Sequence, residues 1–377
     1  MRTYSRSRFA LALGLVVVVL AGVGAAFAGA TATPTPGFAD GAFCTYGKGY
    51  FSNSAEAAQS IQGGLPFAIG GSSNTYTWNQ VAALQHAVGS GGSPGAFSGS
   101  ATNATDMGTG GDLAAQTMAL TLNINLSERV LTPTGFAAVS LVDMNGVKLD
   151  GVALTSAQAG ALNGQAVVQV REAANVALSG GSLPYGLSFS QLTALERTLN
   201  EAFSDSYKAN GVVQPCGQPS KFAQAHMYQP YVTSNAFAGK RPASIALFTP
   251  KPAYNTFSGD VVYVGRGCPA GSITAVNPAD PYLADPTGKI ALIERGACRF
   301  DNKVAWAQQN GAAAVIVFNN AAGGEALVVM GGNNPISAPS TSSVLGVTIT
   351  IPAAFVQRST GLLLAGGTPP VTAFVQQ

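Results

Sequence analysis

The stretch "GKIALIERGACRFDNKVAWAQQNGAAAVIVFNN", residues 288–320, decides how the chain is read. Its first part carries a short apolar run, Ile290 to Ile293, entered by a Pro-Thr-Gly turn, and reads as a strand. Residues 301–312 read as a helix ended by Gly311, with Phe300, Val304, Ala307 and Gly311 on its inward face. Residues 313–320 are almost wholly apolar, the pattern of a strand buried on both faces. Strand, helix and strand in that order make a βαβ unit, with parallel strands and a right-handed crossover. Cys298 then sits where the chain leaves the first strand for the helix.

Outward from this unit, "GDVVYVG" at 259–265 reads as another strand, and Cys268 follows it closely. If the two strands are neighbours, Cys268 and Cys298 meet and close a loop whose entropy contributes about 3–4 kcal/mol. A metal site would need more Cys or His nearby, and a thiol nucleophile would need a histidine; the chain after residue 242 contains no histidine. "GVTITIPA" precedes a helix expected from Ala353 to about Leu364, and "PVTAFVQ" reads as a last strand.

The opening residues have another character. Arg2, Arg6 and Arg8 precede an apolar run from Phe9 to about Val23, and Ala26-Phe27-Ala28 and Ala28-Gly29-Ala30 fit small-x-small cleavage sites. This is the pattern of a secretory signal peptide, with an uncleaved anchor as the alternative. Without residues 1–30 the basic side chains fall from 19 to 16 against 17 acidic ones, so the formal +2 of the whole chain carries no message about nucleic acid. Charged residues make up 10% of the chain, far below the ~25% of ordinary globular domains. Cys44 and Cys216 bracket the first half, and four cysteines allow three pairings. One pair per region, Cys44–Cys216 and Cys268–Cys298, suits an oxidising compartment.

The first half is Ala- and Gly-rich. "TYTWNQVAALQHAVG" reads as a short helix, and 89–112 as a Gly/Ser loop. "DLAAQTMALTLNINLS" reads as helical or buried, and Asn145-Gly146 as a hairpin turn. Residues 164–181 read as a helix ending on paired glycines. The helix after Ser188 opens with Gln191 at capping-box spacing and carries Leu192, Leu195, Leu199 and Phe203 on one face. The expected organisation is therefore a signal peptide at 1–30, a linker at 31–42, an N-terminal domain at 43–217, a second linker at 218–242 and a C-terminal domain at 243–377. The expected fold class is α+β: a mixed, helix-rich N-terminal domain followed by a strand-rich domain flanked by short helices.

The second region resembles the protease-associated (PA) domain family. The resemblance is carried by Gly288 to Ile293, Arg295-Gly296, Cys298, Phe300, Lys303, Ala307, Gly311-Ala312, Val315-Ile316 and Asn319-Asn320, and further on by Ile351-Pro352 and Gly361. It implies a β-sandwich-like open barrel. It also implies a non-catalytic module of the kind attached to secreted subtilases, zinc aminopeptidases and sorting receptors, where it helps to bind substrates or partners. The first region is similar to a domain of bacterial surface proteins that opens with Cys-Thr and a Gln-Gly-Tyr-Trp-like motif (TQGYW-like). Here that stretch is Cys44 to Phe51, with Lys48 and Phe51 replacing the Gln and Trp.

Catalytic patterns are weak. Gly91-Gly92-Ser93-Pro94-Gly95 matches G-x-S-x-G, but Pro94 has no N–H for an oxyanion hole and the surroundings are a loop. His86 sits in an apolar helical context and His226 in the expected linker. Asp143-Met144-Asn145-Gly146 has its glycine too early for an EF-hand. Asp280 and Asp285 read as turn residues, and "GRGCPAG" lacks the helix of a dinucleotide fingerprint. Trp306 points about 200° away from Val304 and is either a contact residue or packed under the loop 321–345.

The expectation is a secreted, non-catalytic binding protein whose PA domain engages a protein, peptide or extracellular polymer. No cofactor, nucleic acid, or membrane span beyond the signal is expected. The candidate partner-binding residues are Arg295, Arg299 and Trp306, beside the long loop after residue 320. The alternative is a secreted peptidase-like hydrolase with a divergent site in 43–217.

Overall fold

The computed structural model describes residues 37–209, 212–250, 257–272, 279–331 and 341–376. The expected signal peptide and residues 31–36 of the first linker lie outside them.

The first region is built around one helix. Helices α1 (Lys48–Asn53), α2 (Ala55–Gln62) and α3 (Val81–Gly89) precede α4 (Gly111–Glu128), which is buried along nearly its whole length. A helix buried on every side belongs in the middle of a bundle. Helices α5 (Ser156–Leu162), α6 (Val167–Leu178) and α7 (Phe189–Asn200) follow, with α6 and α7 packed on α4. In α7 the Ser188–Gln191 capping box forms, and Leu192, Leu195 and Leu199 are fully buried. Gly180, just past α6, takes φ +90, the left-handed conformation that ends a helix.

Short strands fill the gaps. β1 (Phe67–Gly70), β2 (Thr75–Trp78) and β3 (Ala101–Thr102) form one small sheet, so the stretch 75–89 read as a helix is a strand followed by α3. β4 (Ser140–Leu141) precedes a hairpin of β5 (Lys148–Leu149) and β6 (Val152–Ala153). The hairpin therefore turns at Asp150-Gly151, both with positive φ, and not at Asn145-Gly146. Asp-Gly offers the same left-handed pair as Asn-Gly, and it is the one flanked by pairable residues. β7 (Asp205–Ala209) and β8 (Val212–Gln218) close the region as an antiparallel pair.

A polar seam runs between α4 and α7. Asn200 Nδ2 donates to Gln116 O and Oε1, and Asn123 Nδ2 donates to Asn200 Oδ1 and Tyr46 O. Glu196, fully buried, lies 2.6 Å from Thr117 Oγ1 through Oε2. The single Thr117 hydroxyl proton is shared between Glu196 Oε2 and Leu113 O, the latter at 2.9 Å, so the carboxyl receives weak support from it. Burial pushes this carboxyl well above its ordinary 4.5, against a downward pull from Thr117 and Arg171. The stability of the protonated arrangement is fully present below about pH 4.5 and is lost as pH rises through the folded value. Glu196→Gln is expected to remove that loss and so to raise stability at pH 7.5 relative to the parent. Denaturant titrations of parent and variant at pH 4.5 and 7.5 check this; equal pH dependence in both would refute the buried-acid reading.

Residues 218–242, read as a linker, are not one. α8 (Lys221–His226) and β9 (Met227–Tyr228) bury Ala223 and Met227 in the first core, and β9 pairs with β4. β10 (Tyr231–Ser234) and β11 (Phe237–Ile245) are already staves of the second region. The polar composition reflects exposed positions such as Asn235 and Lys240, while Val232, Ala243 and Ile245 are buried.

The remaining strands are β12 (Phe257–Gly265), β13 (Ile290–Glu294), β14 (Ala314–Phe318), β15 (Ala353–Val356) and β16 (Thr372–Gln376). They form a closed barrel in the order β10-β11-β15-β14-β13-β12-β16, and β16 pairs with both β12 and β10. The resemblance implied an open barrel; this second pairing of β16 closes it. β12 to β15 run parallel, as the βαβ reading requires, with Ile290 opposite Ala314 and Leu292 opposite Ile316. Helix α9 (Phe300–Gln309) is the crossover. Residues 353–356 are strand and not helix; α10 (Arg358–Gly366) begins only after them.

Both faces of the parallel strands are covered. Ile290, Leu292, Ile316 and Phe318 share a core with Leu364 of α10. Ala291, Ile293, Val315 and Val317 share another with Val304, Ala305 and Ala307 of α9. The two regions also touch: Leu247 is buried in the core of the first region, and Tyr228 Oη donates to Gln376 O at 3.1 Å. Among the described residues no helix is long and apolar enough to cross a membrane.

Candidate functional site

Parallel strands bring their carboxyl ends to one side, and four loops therefore leave the same rim of the barrel. β12 gives Arg266 and Cys268, β13 gives Arg295 to Arg299, β14 gives Asn319 and Asn320, and β15 gives Arg358. The β13–α9 loop is sharply bent: Gly296 and Ala297 have positive φ, and Cys298 N donates to Gly296 O at 2.8 Å. A disulfide joins Cys268 to Cys298 with Cα atoms 5.9 Å apart, pinning this loop to the end of β12. The other disulfide, Cys44–Cys216, lies in the first region.

Each rim arginine has a different partner. Arg266 Nη2 meets Asp280 Oδ1 at 2.8 Å, and Arg358 Nη1 meets Glu294 Oε1 at 3.4 Å. Arg299 forks onto the fully buried Asp301 through Nε at 3.1 Å and Nη2 at 3.2 Å. Arg295 alone among these four lacks a carboxylate among the described residues; its Nη1 donates to the neutral Asn319 Oδ1 at 3.1 Å. Asn319 is itself held, donating through Nδ2 to Ala326 O at 2.9 Å. Arg295 is thus oriented but not neutralised, and its remaining N–H groups can serve a carboxylate or backbone carbonyls of another molecule.

Lys303 is the feature the sequence reading missed. It appeared there only as a position of the family pattern, because lysine is rarely buried and nothing in its neighbours marks it. In the fold its side chain is fully buried, and its ammonium donates to Arg266 O and lies 3.3 Å from Cys268 Sγ. Burial lowers its pKa to about 8; Arg266 adds to the lowering, while the carboxylates of Asp280 and Glu294 oppose it. Near neutral pH the amine therefore keeps its proton.

Trp306 lies further along α9, half-buried, with its ring edge-on to Tyr282 at 6.2 Å. It packs against the segment after residue 279, and is set apart from the loop that holds Arg295 and Arg299. Of the long loop after residue 320, positions 332–340 lie outside the described residues. The part that follows is fastened to α9: Ser342 Oγ donates to Asn302 Oδ1 at 2.7 Å, and Gln308 Oε1 accepts from Thr350 N at 2.7 Å.

The candidate catalytic residues stay apart. Ser93 is exposed in an irregular segment with no strand before it. His86 lines an open cleft of about 560 Å³ with Ser52, Asn53, Gln85 and Thr105. His226 ends α8 against Phe222. No hydrogen bond joins either imidazole to a serine or carboxylate among the described residues. No group of three metal-ligating side chains occurs among the described residues either.

The PA domain family matches residues 257–364. This stretch of the chain, the larger part of the barrel with α9 and α10, is a protease-associated domain. Among solved structures the chain is similar to a zinc aminopeptidase from Bacillus subtilis, at 21% identity over 39% of this chain and 29% of that one, with a TM-score of 0.27. An aminopeptidase from Aneurinibacillus sp. strain AM-1 matches at 24% identity over 39% and 30%, with a TM-score of 0.26. The psychrophilic subtilisin-like protease Apa1 from Pseudoalteromonas sp. AS-11 matches at 18% identity over 39% and 32%, with a TM-score of 0.26. The chain spans less than a third of the length of these peptidases. Among curated proteins none matches.

Proposed function

We propose that the protein is a secreted, non-catalytic binding protein whose PA domain holds a protein, peptide or extracellular polymer at the rim of the barrel, against the β13–α9 loop. The observation that carries this reading is Arg295: a cation fixed in direction by Asn319, without a carboxylate among the described residues, on a loop pinned by a disulfide. Arg299, about half exposed while its guanidinium rests on Asp301, stands at the other end of the same loop as a second contact. The barrel is closed, so a partner has no free strand edge to extend, and side chains and loop backbone must make the contacts. Two disulfides suit an oxidising, extracellular setting.

Affinity capture from the culture medium of the source cells tests the reading. The Arg295→Ala, Arg299→Ala double variant is expected to recover its partner at least about ten-fold less well than the parent, the usual loss for charge-assisted bonds, with unchanged circular dichroism. Equal recovery by the two proteins would exclude the β13–α9 loop as the contact.

A further inference from the structure

We propose that Cys268–Cys298 is a thiol-exchange site, at which an external thiol forms a mixed disulfide with Cys298 and expels Cys268 as a thiolate held by Lys303. The proposal stands on the geometry of the bridge and not on the partner-binding reading above.

The two sulfurs are not equivalent. Cys268 is fully buried, whereas Cys298 is half-buried in the bent surface loop, so Cys298 is the end of the bridge that an incoming thiolate approaches. Its lone pair forms the new S–S bond, the old S–S bond breaks, and that electron pair leaves on Cys268. Thiol exchange runs faster the better its leaving thiolate is stabilised, and a neighbouring ammonium stabilises a thiolate. Lys303 Nζ is already in place, 3.3 Å from Cys268 Sγ and shut away from water, so the expelled thiolate meets a cation without any rearrangement. The other groups that face Lys303 are the Arg266 carbonyl and guanidinium and the carboxylates of Asp280 and Glu294.

In the second half-reaction another thiol attacks the mixed disulfide, and Cys298, two residues before the first residue of α9, leaves as a thiolate. The net change is reduction of the bridge by two thiols, which leave joined as a disulfide. Cys44–Cys216 is the internal control. The Tyr46 hydroxyl lies 3.7 Å from Cys216 Sγ, and no ammonium or guanidinium is bonded to either sulfur among the described residues.

The test treats the folded protein at pH 7.5 with reduced glutathione, then with dithiothreitol. Products are quenched with iodoacetamide and mapped by mass spectrometry. The expected glutathione adduct is on Cys298, with Cys268 alkylated, and Cys268–Cys298 is expected to open at least about ten-fold faster than Cys44–Cys216. In Lys303→Met the opening of Cys268–Cys298 should slow about ten-fold while that of Cys44–Cys216 is unchanged, and Lys303→Arg should keep most of the parental rate. A merely structural lysine would alter stability without moving the ratio of the two rates. An adduct on Cys268, a Cys44–Cys216 bridge that opens as fast, or an unchanged rate in Lys303→Met would each overturn the proposal. The first two measurements use the parent protein, so the proposal stays testable if Lys303→Met does not fold.

Discussion

Replacing Cys44 and Cys216 together by serine is expected to remove about 5 kcal/mol of stability, the larger of the two disulfide effects. The bridge spans 172 positions and ties the entry of the first region to its last strand. Its loss frees the unfolded chain over that whole length. The bridge between Cys268 and Cys298 spans 30 positions, for which the same loop-entropy argument gives about 3–4 kcal/mol. The local packing points the same way. Phe43, next to Cys44, meets Phe38, Phe136 and Phe203 at ring distances of 5.2–6.0 Å, and Thr45 N donates to Phe203 O. A chain start held only by those contacts frays more easily than one that is bonded covalently. Guanidinium unfolding of the two double-serine variants decides the order. A smaller loss for the Cys44/Cys216 variant than for the Cys268/Cys298 variant would mean that strain or residual structure, and not loop length, governs the first bridge.

What the sequence revealed follows the strength of its local patterns. The βαβ unit was legible because Ile290–Ile293 and Ala314–Phe318 are continuous apolar runs separated by one helical period pattern, and those are the strands buried on both faces. α7 was legible from Ser188, Gln191 and its leucine stripe. β10 and β11 were not, because Asn235 in the turn between them, exposed Lys240 and half-buried Arg241 drown out Val232 and Ala243. β15 was taken for the start of a helix because four apolar residues, Ala353 to Val356, fit either period. At the rim, the loop with Arg295, Cys298 and Arg299 was visible, but the groups that fix its chemistry were not. Asn319 and Lys303 lie 24 and 35 positions from the residues they meet, and only strand order brings them there.

Gly361→Val is expected to destabilise the PA domain by about 3–5 kcal/mol, combining overpacking with partial exposure of Leu364. Gly361 sits on the inner face of α10, where a Cβ would come within 2.5 Å of Phe318 Cδ2 and closer still to its Cβ and Cγ. Phe318 cannot retreat. It ends β14, paired with Glu294 of β13 on one side and Val356 of β15 on the other. The helix would have to lift instead, withdrawing Thr360 and Leu364 from the barrel core. Gly361→Ala should cost less than Gly361→Val, because it adds one methyl group where valine adds three carbons. Leu362→Ala, on the exposed side of the same helix, should stay within about 0.5 kcal/mol of the parent. Phe318→Ala is costly alone; it removes the Cγ and Cδ2 contacts but keeps the Cβ one, so it opens part of the space that the valine needs. The double variant Phe318→Ala, Gly361→Val should therefore be more stable than the sum of the single losses by about 0.5–1 kcal/mol. Strict additivity in denaturant unfolding, or a Gly361→Val variant as stable as the parent, would show that α10 is not seated on Phe318 in solution.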